Sequence, residues 1–249
     1  MYFRFNLTFF SFHRKYVLGK YNWRSFEDFA SEATIASQAL RNLGLNPKDK
    51  VAILAETRAE WILMAYACFK NNITIVTIYT NLGNDGIAHA LNETQVPLLI
   101  CSDETLPKVA SVVDRCDSVK TIVAFESLVD GRLHSTQAVK SANPSVELYG
   151  YMDLMKKKFD ACPPLSPPKP KDCAIIMYTS GSTGNPKGVL ISHENMIAAM
   201  SALTNIATFR SKDRYIAYLP LAHVLELLAE TSCLMYGIKI GYRYENLIC

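Results

Sequence analysis

The chain has 249 residues, of which 49% are hydrophobic and 20% are charged, and its formal net charge at pH 7 is +3. This apolar content is ample for the core of one large or two small globular domains. The small charge, with Lys and Arg scattered along the chain, gives no reason to expect nucleic acid as a partner.

Seven cysteines stand singly at irregular spacings, with no C-x-x-C pair, which predicts a reducing compartment. Cys68 and Cys173 lie in apolar runs and are expected to be small core residues. No uncharged apolar stretch reaches the roughly 20 residues that span a bilayer.

Residues 1–20 form an atypical N-terminal segment. Its first twelve residues are rich in aromatic side chains but are interrupted by Arg4 and Asn6, and no small-residue cleavage site follows them. They therefore make a poor signal peptide. An interfacial anchor and a non-native start both remain open.

Apolar periodicity predicts alternating helices and strands from residue 26 onward. The first helix runs from Phe26 to Leu43, and Gly44 is placed to end it. The later strands are predicted at 51–54, 74–79, 97–101, 121–125, 173–178, 215–219 and 238–242, and the helices at 59–70, 86–93, 106–116, 194–206 and 224–236. Because most strands are continuous apolar runs, the fold class is α/β, with mostly parallel sheets covered by helices.

A polar region from about 126 to 172 interrupts this alternation. It ends in the proline-rich stretch 163–170, which does not suit a central strand or a helix interior. The region is therefore interpreted as a connector.

Residues 178–188, Tyr-Thr-Ser-Gly-Ser-Thr-Gly-Asn-Pro-Lys-Gly, follow a buried strand and are called the phosphate loop here. Glycines allow backbone N–H groups to approach an anion, and Thr and Ser hydroxyls donate to phosphate or ligate Mg²⁺. The loop is no Walker motif, because Pro186 and Gly188 stand where that motif needs Gly and Ser or Thr. It also lacks the G-x-G-x-x-G spacing of dinucleotide-binding turns.

His223 follows the predicted strand 215–219 and is expected near the same sheet edge as the phosphate loop. Glu226 and Glu230 share its helical face, an arrangement that suits a polar face of an amphipathic helix better than a metal site. Ser180 and Ser182 lack the G-x-S-x-G elbow of a serine nucleophile.

The phosphate loop resembles the signature of the acyl-adenylate-forming (AMP-binding) superfamily. From Tyr21 to Gly241 the chain resembles one branch, the eukaryotic long-chain fatty acyl-CoA synthetases. The similarity lies in the phosphate loop and in the segments 56–61 (Glu-Thr-Arg-Ala-Glu-Trp), 65–69, 77–83, 89–94 and 219–226 (Leu-Pro-Leu-Ala-His-Val-Leu-Glu).

This resemblance implies ATP-dependent activation of a long-chain fatty acid to an acyl-adenylate, followed by transfer to CoA. It implies a catalytic role for His223 and Lys187, and Mg²⁺ ligation by Thr183. The residues implied to bind ATP are Thr179, Ser180, Gly181, Ser182, Thr183, Gly184 and Lys187. It further implies association with a membrane surface, such as the cytoplasmic face of the endoplasmic reticulum or another organelle.

Several segments of that family are not found in these 249 residues. They are the adenine-binding segment, the Mg²⁺-binding Glu, the ribose-binding Asp, the hinge and the C-terminal domain with its catalytic lysine. We therefore expect residues 21–249 to be part of a large N-terminal AMP-binding domain. A non-catalytic truncated product, a partner-binding fragment and another adenylate-forming enzyme remain as alternatives.

Overall fold

The computed structural model describes residues 3–5, 21–157, 164–179 and 186–242. The strands are β1 Phe3–Phe5, β2 Tyr21–Trp23, β3 Lys50–Leu54, β4 Thr74–Thr77, β5 Leu98–Ser102, β6 Thr121–Phe125, β7 Glu147–Gly150, β8 Cys173–Thr179, β9 Lys187–Ser192, β10 Arg214–Ala217 and β11 Lys239–Tyr242. The helices are α1 Phe26–Asn42, α2 Ala59–Lys70, α3 Asn84–Thr94, α4 Leu106–Ala110, α5 Thr136–Ala142, α6 Tyr151–Lys156, α7 His193–Ile206 and α8 Val224–Met235.

Seven strands form one sheet in the order β7-β6-β5-β3-β4-β8-β9. Every neighbouring pair is parallel except β8 and β9, which are antiparallel. The prediction of a mostly parallel α/β sheet is therefore confirmed.

Helices cover both faces of this sheet. Along β3, Val51 and Ile53 belong to a core shared with α1 and α2, whereas Ala52 and Leu54 belong to a second core shared with α3 and α4. Because successive strand residues point to opposite faces, a strand between two helix layers is apolar at every position.

The first helix begins and ends where its sequence predicts. Ser25 caps α1 by accepting from the backbone N–H of Asp28, whose side chain accepts from the Ser25 backbone in return. Gly44 follows the helix with a φ of 90°, a left-handed conformation that favours glycine.

Four strands occur where no strand is predicted, namely β1, β2, β7 and β9. β9 begins at Lys187, at the end of the phosphate loop, and β7 lies between α5 and α6 inside the region 126–172. This region therefore continues the alternation up to residue 156, and its interpretation as a plain connector is wrong there. β7 and β9 form the two edges of the main sheet, so neither has the continuous apolar sequence of a central strand.

Smaller differences concern one helix and one cysteine. The helix predicted over 106–116 is the short helix α4 followed by a 3₁₀ turn over Val113–Arg115. Cys68 is fully buried as expected, whereas Cys173, at the start of β8, is only half-buried.

β10 and β11 pair with each other in a separate parallel two-stranded sheet. β10 is therefore not a strand of the main sheet, and α8 connects the two strands of the small sheet. Within the described ranges, no helix combines the length and the apolar character needed to cross a membrane.

Candidate functional site at the carboxyl edge of the sheet

The β8–β9 hairpin brings together the two ends of the phosphate loop. Thr179, the last residue of β8, is the Cα partner of Lys187, the first residue of β9. The Thr179 hydroxyl donates to the Lys187 carbonyl oxygen at 3.5 Å, and both side chains are exposed. The loop therefore begins and ends at the carboxyl edge of β8, where parallel sheets bind ligands.

The other predicted loop residues lie outside the described residues, so their roles stay predictions. They are Ser180, Gly181, Ser182, Thr183 and Gly184.

Tyr178 anchors the start of the loop to α3. Its ring is buried, its hydroxyl donates to Glu93, and its ring meets His89 edge-on with 6.3 Å between the centroids. Burial raises the pKa of the Tyr178 hydroxyl, and the nearby Glu93 carboxylate raises it further. The phenol therefore stays protonated and keeps donating its hydrogen bond.

Gly188, opposite Tyr178 in the hairpin, is required by close packing. A Cβ atom at this position would lie 2.9 Å from Cγ2 of Ile176 and 3.4 Å from the Tyr178 ring. This glycine of the motif thus makes room for the tyrosine at the start of the phosphate loop.

His223 is the N-cap residue of α8. Its side chain is exposed, and its Nδ1 accepts a hydrogen bond from the backbone N–H of Leu225 at 3.2 Å. Because Nδ1 is the acceptor, the hydrogen of the neutral imidazole is on Nε2. His223 thus offers an N–H donor to an anionic ligand.

The chain before His223, residues 219–222, lies across the carboxyl ends of β3 and β4 and is called the Pro220 segment. Thr57, just after β3, donates to the Leu219 carbonyl oxygen at 2.6 Å and accepts from the Leu221 N–H at 2.9 Å. Thr77, the last residue of β4, donates to the Ala222 carbonyl oxygen at 3.3 Å.

These contacts bring His223 to the sheet edge by an unexpected route. β10 does not belong to the main sheet, yet the Pro220 segment that follows it is hydrogen-bonded to the ends of two main-sheet strands. One of them, β4, pairs directly with β8, which leads into the phosphate loop. His223 and the loop ends therefore belong to the same edge, although β10 lies outside the main sheet.

Glu226 and Glu230 do not form the expected solvent-exposed polar face. Both are fully buried, and they accept hydrogen bonds from Tyr215 at 2.7 Å and Tyr242 at 2.5 Å, respectively. Burial raises the pKa of both carboxyl groups, that of Glu230 well above its ordinary value. Among the described residues, no group of three or more His, Cys, Asp or Glu side chains is placed to hold a metal ion.

A buried arginine lies beside Thr57 at the same edge. The Arg58 side chain is 2% exposed and forms ion pairs with Glu60 at 2.9 Å and Glu56 at 3.1 Å. It also donates to the Glu126 carbonyl oxygen at 3.0 Å and lies over the Phe125 ring. These contacts connect the ends of β3 and β6, and no local sequence pattern predicts them.

Comparison with known proteins assigns the chain to a family. The model of the AMP-binding enzyme family matches residues 7–246. The chain belongs to the AMP-binding enzyme family. The matched range extends beyond Tyr21–Gly241, the range of the resemblance read from the sequence, at both ends.

The relatives of this family member include long-chain acyl-CoA synthetases. The chain is 38% identical over 230 residues to long-chain-fatty-acid–CoA ligase 1 of Schizosaccharomyces pombe, covering 91% of this chain and 33% of that protein. It is 39% identical over 230 residues to long chain acyl-CoA synthetase 8 of Arabidopsis thaliana, covering 92% and 31%. The chain thus spans about a third of the length of the curated relatives it matches.

Solved structures confirm the fold class. The adenylation domain of a carboxylate reductase from Mycobacterium chelonae superimposes with a TM-score of 0.84, at 20% identity, over 99% of this chain and 40% of that chain. At this identity the likeness shows the fold alone. It confirms that the chain has part of the adenylate-forming fold.

Proposed function

We propose that the chain carries the phosphate-binding part of an ATP-dependent long-chain fatty acid–CoA ligase. In this reaction a fatty carboxylate attacks the α-phosphorus of ATP, giving acyl-adenylate and pyrophosphate, and the CoA thiol then displaces AMP. The observation that carries the proposal is the junction at the sheet edge, where the Pro220 segment is tied to β3 and β4 next to the hairpin that holds the phosphate loop.

The charge requirements of the first step support this assignment. A carboxylate is a poor nucleophile toward a polyanion unless positive charge and N–H groups neutralise the phosphates. Lys187 is an exposed cation at the end of the loop, and Thr179 is an exposed hydroxyl at its start. This donor set suits phosphate oxygens, and Thr183 is the proposed ligand of Mg²⁺. When bound, Mg²⁺ would neutralise phosphate charge as a Lewis acid.

His223 is proposed to orient the fatty carboxylate. With Nδ1 engaged by the Leu225 N–H, the imidazole presents Nε2–H, which donates to a carboxylate oxygen without a change of protonation. This fits a positioning role better than a role as general base, because Nδ1 is already occupied.

The test is the binding of ATP with Mg²⁺ to the chain, measured by isothermal titration calorimetry. We expect the dissociation constant for ATP to rise by about tenfold or more in Lys187→Ala and Thr183→Ala, the range of a lost hydrogen bond to a charged group. Lys169→Ala is the matched control, because this exposed lysine precedes β8 at the opposite edge of the sheet. Equal dissociation constants in Lys187→Ala and Lys169→Ala would contradict the proposal.

A second candidate function, binding a protein partner without catalysis, is favoured by exposed apolar side chains. They lie on β9, α7, β10 and α8 and include Leu190 (69% exposed), Ile197 (64%), Ile206 (86%), Ile216 (58%) and Met235 (57%). Large exposed apolar patches are typical of interaction surfaces. We expect the isolated chain to bind a hydrophobic dye and to self-associate in analytical ultracentrifugation. A compact monomer that binds no dye argues against this candidate.

Association with a membrane surface is also a proposal, because long-chain fatty acids partition into bilayers. The cytoplasmic face of an organelle membrane is the proposed location. Co-sedimentation with phosphatidylcholine vesicles, with and without palmitate, tests the association, and a chain that stays in the supernatant in both cases contradicts it.

A further inference from the structure

The backbone around Pro220 depends on the Thr57 side chain for part of its hydrogen bonding. A proline has no N–H group to donate, so fewer backbone hydrogen bonds form around it than in an ordinary turn. The groups on either side, the Leu219 carbonyl and the Leu221 N–H, both meet the Thr57 hydroxyl, at 2.6 Å and 2.9 Å. A hydroxyl donates once and accepts as well, so one side chain satisfies both groups.

Thr57 and the Leu221 side of this contact are buried. Thr57 is 3% exposed, and Leu221 and Ala222 are 1% and 3% exposed, whereas Leu219 is half-buried and Pro220 is exposed. A buried N–H or carbonyl that loses its partner costs more than the hydrogen bond itself contributes. The contact therefore holds the Pro220 segment firmly, although Thr57 and Leu219 are 162 residues apart in the sequence.

The Pro220 segment connects directly to His223. The His223 N–H donates to the Pro220 carbonyl oxygen at 2.8 Å, which closes the turn, and the His223 ring then caps α8. Thr77 makes only one hydrogen bond to the segment, in which it donates to the Ala222 carbonyl oxygen at 3.3 Å. Thr57 makes two hydrogen bonds to the segment, and both are shorter.

We propose that Thr57 is a positioning residue: its hydroxyl fixes the Pro220 segment and thereby the place of the His223 imidazole at the edge where the phosphate loop begins. The functional part of this inference rests on the proposed ligase function, since it takes His223 to orient the carboxylate. The structural part stands on the hydrogen bonds alone.

The first arm of the test is amide hydrogen exchange by NMR in Thr57→Val and Thr57→Ser. Valine matches threonine in shape but has no hydroxyl, whereas serine keeps it. Relative to amides of β3, the Leu221 amide should exchange about five- to tenfold faster in Thr57→Val, the factor for one lost hydrogen bond. The His223 ring signals should shift in the same variant, and Thr57→Ser should retain the wild-type behaviour.

Thr94→Val is the matched control. Thr94 is also a buried threonine, but its hydroxyl donates only to carbonyl oxygens of its own helix, Ala90 and Leu91. We expect this variant to leave the Leu221 exchange rate and the His223 signals unchanged. Equal changes in both valine variants would mean general destabilisation and would overturn the positioning role.

The second arm is the binding of palmitate in the presence of ATP and Mg²⁺, measured by isothermal titration calorimetry. In Thr57→Val, the dissociation constant for palmitate should rise by about three- to tenfold, the effect of one misplaced hydrogen-bond donor. The dissociation constant for ATP should change by less than about twofold, because the Thr57 hydroxyl is hydrogen-bonded to the Pro220 segment. Thr57→Ser should recover most of the palmitate affinity.

The two arms separate the two proposals. A wild-type chain that binds neither ATP nor palmitate, but whose Leu221 exchange depends on Thr57, contradicts the ligase proposal and leaves the structural role of Thr57 standing. Leu221 exchange and His223 signals that are unchanged in Thr57→Val overturn the inference whether or not the chain binds ATP.

Discussion

Replacing Arg58 by methionine is expected to be among the most destabilising single changes at the sheet edge. The Arg58 side chain is 2% exposed and pairs with Glu56 and Glu60, which are themselves only 11% and 14% exposed. Methionine keeps the apolar stem but removes the positive charge from beside two poorly hydrated carboxylates and the donor from the Glu126 carbonyl oxygen, while Glu56 keeps its hydrogen bond from Ser102.

The magnitude follows from this burial. Removing one partner of a buried ion pair costs about 3–5 kcal/mol, because the remaining charge is left uncompensated. Loss of the contact with the Phe125 ring, 5.0 Å from the guanidinium carbon, adds about 0.5–2 kcal/mol. Since a domain is stable by about 5–15 kcal/mol in total, the variant should keep only a fraction of its stability.

The assay is urea unfolding followed by circular dichroism, with Arg115→Met as the matched control. Arg115 pairs with Asp85 at the same 2.9 Å, but the two side chains are 46% and 96% exposed. An exposed pair contributes about 0–1 kcal/mol. If the two variants differ by less than about 1 kcal/mol, burial does not govern the Arg58 contacts and the reasoning is refuted.

Two further predictions concern the hairpin and the small sheet. Gly188→Ala should destabilise the chain by about 1–3 kcal/mol through overpacking, chiefly against Ile176 and then against Tyr178. Gly83→Ala meets no atom within 4 Å and should cost at most about 1 kcal/mol, because Gly83 is the N-cap of α3 and alanine suits that position less well. Equal thermal shifts in the two variants would contradict overpacking at Gly188. Because burial raises the pKa of Glu230, its contribution to stability is fully present below the unfolded-state pKa of about 4.3 and is lost as pH rises through the folded-state value. Between pH 4 and 9, the free energy of unfolding should therefore fall less with rising pH in Glu230→Gln than in wild type. The control variant Glu194→Gln, at an exposed position, should follow wild type. If the pH dependence of Glu230→Gln equals that of wild type, the Glu230 carboxyl group does not titrate differently in the folded and unfolded states.

The central strands are readable from the sequence because burial on both faces makes every position apolar. β3, β5, β6 and β8 are therefore predicted within one or two residues of their observed bounds. β7 and β9 are missed because edge strands need no such run: Glu147 in β7 and Lys187 in β9 are exposed.

Long-range contacts leave no comparable mark in the sequence. The sequence predicts Thr57 to be an ordinary loop residue after a strand, and only the fold brings it to the Pro220 segment. Glu226 and Glu230, one helical turn apart, are predicted to lie on a solvated face. The tyrosines that cover them come from β10 and β11, so the sequence of the helix does not reveal their burial. Which side of α8 is covered is therefore set by strands outside the helix.

The strand order also determines when the site edge forms during synthesis. β4 pairs with β3 on one side early, but its partner on the other side is β8, and Thr74 meets Cys173 across 99 residues of chain. At a synthesis rate of about 5–20 residues per second, the second edge of β4 stays unpaired for roughly 5–20 s, until β8 has been synthesised. During that interval, Ile75 and Val76 border an unpaired strand edge, the kind of surface that aggregates. The half of the sheet from β3 to β7 can be completed first, so the nascent chain is most exposed to misassembly just before the phosphate loop leaves the ribosome.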